Sequence, residues 1–328
     1  MVLFFFSLIC FCIILVPHLI YGIAKLLSLV FHFHVSYHNY GYTALGMLIA
    51  WLLLFSWGHW FGRYFYEEKD VEIACKGLPE SFDGYRIVHI SDLHLDGWEG
   101  HQEKLQEIID SINDLNPDLI VFTGDLVSLS QDELQPFAKQ LGQLKAKDGV
   151  YSIMGNHDYL PYNKKKTPKE RFDMVKEVQR IEREDMGWHL LLNENDIIRR
   201  GNDSIAIIGC ENQDSGMHIV IRRGNLKKAL QGTEGMYPII LTHNPNHWEE
   251  EIIGNEKLKN GALTLSGHTH SGQFRVFGLS VAAFIYKEYD GLYTKGDHNL
   301  YVNIGLGGTM PMRIGATPEI TVIKLKKK

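Results

Sequence analysis

The 328-residue sequence predicts an α/β domain preceded by a short membrane unit. Three observations predict it. From Val71 onward, short β-rich runs alternate with stretches of helical periodicity. Those runs are apolar on both faces, as strands in helix-covered sheets are. The first sixty residues, in contrast, carry almost no charge.

The N-terminal unit comes first in the chain. Met1–Gly22 and Tyr42–Phe61 are apolar runs of about 20 residues, enough to cross a hydrocarbon core of ~30 Å. Trp51, Trp57, Trp60, Tyr64 and Tyr66 crowd the far half of the second run, as an interfacial aromatic belt does. A cleaved signal peptide is the poorer reading, because there is no basic n-region and no small-x-small site, and a second span follows. Lys25–Phe33 is expected to lie in the interface as a short amphipathic piece. His32, His34 and His38 have no carboxylate nearby and read as hydrogen-bonded interfacial residues. Arg63, Lys69 and Lys76 after the second span outnumber Lys25 between the spans, which places the large domain in the cytoplasm. The expected division is therefore a multi-pass membrane anchor over 1–66 and a catalytic domain over 67–328.

Within the large domain, strands are expected at Arg86–Ser91, Asp118–Thr123, Gly149–Met154, Ser204–Gly209, Pro238–Thr242, Leu263–Ser266, Leu300–Ile304 and Ile320–Leu325. Leu105, Ile108, Ile109, Ile112 and Leu115 recur at helical spacing, as do Leu134, Phe137, Ala138, Leu141 and Leu144. Pro168 opens a charged helix running to about Asp185.

The net charge of -6 argues against coating nucleic acid, which wants a basic face. Cys10, Cys12, Cys75 and Cys210 form no CxxC pair, so they read as packing residues rather than a disulfide framework or thiolate site.

Five segments carry residues that bind metals, each just after an expected strand: Asp92-Leu93-His94, Gly124-Asp125, Gly155-Asn156-His157-Asp158, Thr242-His243 and Gly267-His268-Thr269-His270. Loops at strand C-termini converge on one face of an α/β sheet, so these side chains are expected at one place. Carboxylate, imidazole and amide oxygen together suit Mn, Fe or Zn. In D-x-H and H-x-H an extended backbone would point both side chains the same way. The glycines before Asp125, Asn156 and His268 are expected to allow sharp turns. Two ions ~3.5–4 Å apart need a shared ligand, and Asp125 is the natural bridging carboxylate. Each piece is common alone; all five in order are not.

In that order, D-x-H, GD, GNHD, a lone His and GHTH resemble the calcineurin-like metallophosphoesterase family. Asp83–Ile87, Ser271-Gly272-Gln273, Leu300-Tyr301-Val302 and Gly305-Leu306-Gly307 are similar to its bacterial membrane-associated YkuE- and YaeI-like branch, which includes UDP-2,3-diacylglucosamine pyrophosphatase relatives. Ser271 departs from that branch, which more often has Gly there. The resemblance implies a four-layer α/β-β/α sandwich of two mixed sheets. It implies one metal on Asp92, His94, Asp125 and His270, and a second on Asp125, Asn156, His243 and His268. It also implies that His157 contacts the phosphate and protonates the leaving oxygen, with Asp158 orienting it.

The expected chemistry is hydrolysis of a phosphodiester or pyrophosphate by a hydroxide bridging two divalent ions, on a membrane-associated or lipid-linked substrate. Two alternatives are a phosphatase of soluble metabolites that uses the anchor for localisation, and a non-catalytic scaffold. Phe274, Phe277, Leu279, Val281, Phe284 and Ile285 read equally as core strand or as an apolar rim to the site. Gly305–Gly308 reads as a tight loop near it.

Overall fold

A computed structural model describes residues 2–214 and 221–328, with side chains from Phe6 onward. The chain divides into two compact units, Met1–Arg63 with Met310–Ile314, and Tyr64–Thr309 with Gly315–Lys328.

In the first unit, helices α1 (Val2–Phe31) and α2 (Tyr37–Trp57) pair through aromatic side chains. The Phe6 and Phe55 ring centroids are 4.6 Å apart, and Tyr21 meets Tyr37 at 5.2 Å. Phe6–Phe31 and Tyr37–Gly62, 26 residues each, are long and apolar enough to cross a membrane. Lys25–Phe31 continues α1 instead of forming a separate interfacial piece. Its leucines propagate the helix, and Lys25–Phe31 itself contains no Gly or Pro. A π-helical turn, Gly58–Gly62, receives the short Met310–Ile314 segment. There Arg313 N–H donates to Gly58 O at 3.1 Å, and a Cβ at Gly58 or Gly62 would collide with the Arg313 carbonyl.

The second unit is built on two six-stranded sheets. One contains β1 (Glu67–Cys75), β2 (Arg86–Ile90), β3 (Leu119–Phe122), β4 (Val150–Ser152) and β5 (His189–Leu190). The other contains β6 (Glu194–Arg200), β7 (Asp203–Gly209), β8 (Tyr237–Leu241) and β9 (Ala262–Ser266). Next come the small hairpin β10 (Arg275–Val276) and β11 (Leu279–Ser280), then β12 (Gly291–Lys295) and β13 (His298–Val302). The final strand, β14 (Glu319–Lys327), returns to the first sheet. The orders are β1-β14-β2-β3-β4-β5 and β12-β13-β9-β8-β7-β6. Both sheets are mixed: β14 runs antiparallel to β2 in one, and β6–β7 and β12–β13 are antiparallel in the other.

Alternation along the strands builds the layers. Ile87, Leu119 and Val121 join Ile239, Leu241 and Leu263 in a core between the sheets. Val88, Ile120 and Phe122 face outward against α3 (Gln102–Asp114), α4 (Ala138–Leu141) and α5 (Pro168–Arg180). On the other side Ile208, Ile240 and Leu300 pack beneath α6 (Leu226–Ala229) and Trp248. The result is the expected four-layer sandwich.

Two departures from expectation have local causes. The helix expected from Leu134 to near Gly149 shrinks to a 3-10 turn at Gln131–Glu133 and the single turn α4, because Pro136 lies between them and supplies no N–H donor. The first strand begins at Glu67, ahead of any apolar run. It is an edge strand, where charge is favoured, and Lys69 Nζ sits 2.7 Å from Glu319 Oε2 on its neighbour β14.

A candidate two-metal centre at the strand ends

All five sequence segments lie just past C-terminal strand ends: after β2, β3 and β4 in one sheet, and after β8 and β9 in the other. Their side chains form two clusters, Asp92–His94–His270 and Asp125–His243–His268, with ligand atoms within 4.8 Å of one another in each. Asp125 joins the clusters. Its Oδ2 lies 3.1 Å from His243 Nε2 and 3.6 Å from His94 Nε2.

The local backbone is not the extended one expected. Asp92, His94, Asp125, His268 and His270 all have left-handed φ, between 46° and 75°. Such conformations cost about 1–3 kcal/mol each and persist where surrounding structure fixes them, often at functional sites. Of the three glycines expected to permit turns, only Gly124 has a positive φ (96°). Gly155 and Gly267 are required by space, because a Cβ there would strike the carboxylates of Asp125 and Asp92 respectively. The Gly305–Gly308 loop braces the first segment: Leu306 N–H donates to Ser91 O at 3.0 Å, and Gly307 N–H to Asp92 O at 2.7 Å.

Each imidazole is oriented by a further group. His243 Nδ1 donates to Thr123 O at 2.7 Å, which turns Nε2 toward Asp125. His94 Nδ1 is 3.1 Å from Ser128 Oγ, which in turn donates to Asp96. His268 presents Nδ1, 3.1 Å from His243 Nε2, while its Nε2 meets Tyr286 Oη at 2.9 Å. Asn156 Nδ2 donates to Tyr162 Oη at 3.2 Å. Its Oδ1 is buried with no hydrogen-bond partner among the described residues. A buried acceptor left open beside imidazoles and carboxylates is what a divalent ion would satisfy.

Asp158 does not orient the His157 ring. Its Oδ2 accepts the N–H groups of Asp125 and Gly155, and its Oδ1 those of Leu126 and Val127, at 2.8–3.1 Å. Four donors fill the lone pairs of one carboxylate. The residue therefore clasps the Asp125 loop to the Gly155 loop. His157 is held instead by Ser128, whose carbonyl accepts from Nδ1 at 3.0 Å. Its ring is half-buried between those of His94 and Tyr162, at 4.8 and 4.4 Å.

The acids and bases of the site shift one another's affinity for protons. Burial pushes Asp92 up to about 6 against the pull of His243. Burial also acts to raise Asp125, but the facing His243, His157 and His94 outweigh it and hold this carboxyl well below its usual range. Burial lowers His243, yet the charges of Asp125 and Asp92 prevail and raise it to about 10. Burial and the His243 charge lower His268 to about 4.

The sequence profile of the calcineurin-like phosphoesterases matches residues 85–272, which hold every candidate ligand. The chain belongs to this family of phosphoester hydrolases. The chain is 35% identical over 265 residues to a Danio rerio "Transmembrane protein with metallophosphoesterase domain", aligning 79% of this chain but 57% of that one. It is 31% identical to the Bacillus subtilis metallophosphoesterase YkuE, across 86% of this chain and 94% of that one. It is 26% identical to the UDP-2,3-diacylglucosamine pyrophosphatase LpxG of Chlamydia muridarum, across 75% and 86%. The bacterial relatives support the membrane-associated branch.

Sequence reading missed Ser128, Tyr162, Tyr286 and Asp96. Ser128 follows Asp125 by three residues and Tyr162 follows Asn156 by six, so proximity to a motif was the available signal. Tyr286 had none.

Proposed function

We propose that this phosphoesterase hydrolyses a phosphodiester or pyrophosphate bond in a lipid-linked substrate at a membrane. The observation that carries the hydrolytic reading is Asp125 Oδ2, placed between His94 of one cluster and His243 of the other. In this reading Asp92, His94, Asp125 and His270 hold one divalent ion, and Asp125, Asn156, His243 and His268 hold the second. The mixed N and O donors suit Mn, Fe or Zn. When bound, the ions supply Lewis-acid charge and activate water.

The chain's own groups do the rest. His157 is more accessible than most of the buried ligands. Its Nδ1 is committed to Ser128 O, which leaves Nε2 to pass a proton to the leaving oxygen. Asp158 keeps the Asp125 and Asn156 loops in register by its four backbone contacts.

Two observations favour a lipid-linked substrate. The chain carries two helices of membrane-spanning length, and its Chlamydia relative is named for a diacylated nucleotide sugar. The balance of Arg63, Lys69 and Lys76 over Lys25 favours a cytoplasmic site. A C-terminal reporter active only outside the cytoplasm should then stay silent. The deciding experiment is a substrate panel with the purified full chain and Mn. Acylated nucleotide sugars and phospholipid-like diesters should be turned over faster than their deacylated forms. Equal rates would assign the enzyme to soluble phosphoesters.

A further inference from the structure

The eleven residues from Val276 to Tyr286 include no charged side chain. They are not core strand. Strands β10 and β11 form a short hairpin, Arg275 opposite Ser280 and Val276 opposite Leu279. Its turn holds Phe277 and Gly278, both with positive φ. A 3-10 turn, Val281–Phe284, follows. Phe277 is 100% exposed and Phe284 91%, with Leu279, Val281 and Ile285 exposed beside them.

This surface is firmly held. Ser280 Oγ donates to Ser271 O at 2.6 Å and accepts from Ala282 N–H at 3.0 Å. Ala282 itself is buried. Ser271 directly follows the candidate ligand His270, and Tyr286 at the far end reaches His268 Nε2 at 2.9 Å. The loop is therefore fixed at both ends to the segment that carries two ligands. Five large apolar side chains facing water on so short a piece mark an interaction surface.

We infer that this loop inserts into the apolar edge of a lipid bilayer and seats the mouth of the metal site on the membrane. A bilayer is the apolar medium that a chain with two membrane-spanning-length helices brings within reach. The tip has the make-up of an interfacial element, with aromatic and aliphatic residues and no charge to desolvate. Just beyond it stands Lys287, its side chain 80% exposed and resting 3.3 Å from Glu249 Oε2 in a surface ion pair that headgroup phosphates can replace. Docking there would place lipid headgroups beside His268 and spare an acylated substrate from leaving the bilayer. That last consequence rests on the lipid-linked reading above; the docking itself does not.

The test uses the full chain in vesicles of equal phosphatidylcholine and phosphatidylglycerol, with Cys10 and Cys12 replaced by serine. An environment-sensitive fluorophore is placed at Phe277→Cys, with a control at Lys169→Cys on the exposed face of α5. The label at 277 should emit to the blue, be quenched by doxyl lipids and resist aqueous iodide, while the control behaves in the opposite way. Iodide reaching both positions equally would overturn the proposal. A second arm uses the triple variant F277S/F284S/I285S. It should turn over a lipid phosphodiester in vesicles about tenfold more slowly while its rate on bis-p-nitrophenyl phosphate stays within about twofold. Equal loss on both substrates, or no loss on either, would count against docking. If the unmodified chain leaves every lipid phosphoester intact, the substrate reading falls, and the quenching result alone decides for or against the loop.

Discussion

Oδ2 of Asp125 lies 3.1 Å from Nε2 of His243, at the junction of the two ligand clusters. The same oxygen is 3.6 Å from His94 Nε2, so one carboxylate oxygen faces both clusters. Asp125→Asn should therefore cost more than any other single ligand change, because an amide lacks the negative charge that lets one oxygen serve two cations. Metal content and turnover should both fall by more than the ~10–100-fold typical of losing a partner outside the ligand set. A purified variant retaining two metals per chain at a near-normal rate would refute the bridging role.

Ser128 allows two roles to be separated. Its hydroxyl links His94 to Asp96, while its carbonyl holds His157. Ser128→Ala removes only the first. Metal affinity should drop ~10–100-fold, while the leaving-group dependence of the rate stays that of the unmodified enzyme. Titration with Mn, together with rates on a series of phenyl phosphodiesters, checks both halves.

His157→Ala should keep its metals and lose rate. A positioned general acid is worth ~10²–10⁴-fold. The loss should be largest for poor leaving groups and shrink for nitrophenol, which needs no proton. A uniform loss across leaving groups would remove His157 from the acid's role.

The five ligand segments were legible because each follows a β-rich run, and parallel strands place such loops together. Beyond that, legibility stopped where three-dimensional placement decides. The left-handed φ of Asp92, His94 and His270 has no signature in D-x-H or H-x-H, since neither motif contains the glycine that usually marks that conformation. Asp158 sits next to His157 in sequence, which suggested a partnership; in the fold, adjacent residues diverge and the carboxylate turns to the backbone of Asp125. Tyr286 is eighteen residues from His268 and reaches it only through the hairpin between them. The Met310–Ile314 segment joins the N-terminal unit across the whole length of the chain, which no local pattern announces.

Asp158→Asn tests the clasp. The amide nitrogen would face backbone donors, leaving two of four N–H groups without an acceptor. Each buried donor left unsatisfied costs about 1–3 kcal/mol. The variant should melt lower, and it should lose metal from both loops that the residue joins. Unchanged stability with slowed proton transfer would instead revive the reading in which Asp158 serves His157.

Glu182 gives the pH dependence of stability. It is buried, and Ser152 Oγ donates to it at 2.8 Å. Burial, reinforced by the nearby Asp158 charge, raises its pKa to about 8, from an ordinary 4.5. Between those values the folded chain holds a proton that the unfolded chain has released. The contribution is thus fully present below about pH 4.5 and is lost as pH rises toward 8. A shift of this size corresponds to an effect on the order of a few kcal/mol. Asp158, raised to about 7 mainly by burial, acts in the same direction, so the two are best separated by substitution. Glu182→Gln keeps an oxygen for Ser152 and carries no charge at any pH. Its melting temperature should match the unmodified chain near pH 5 and exceed it near pH 9, leaving a shallower slope from Asp158. Melting curves of both proteins at pH 5, 7 and 9 decide it; parallel slopes would mean that Glu182 is ionised in the fold across the whole range.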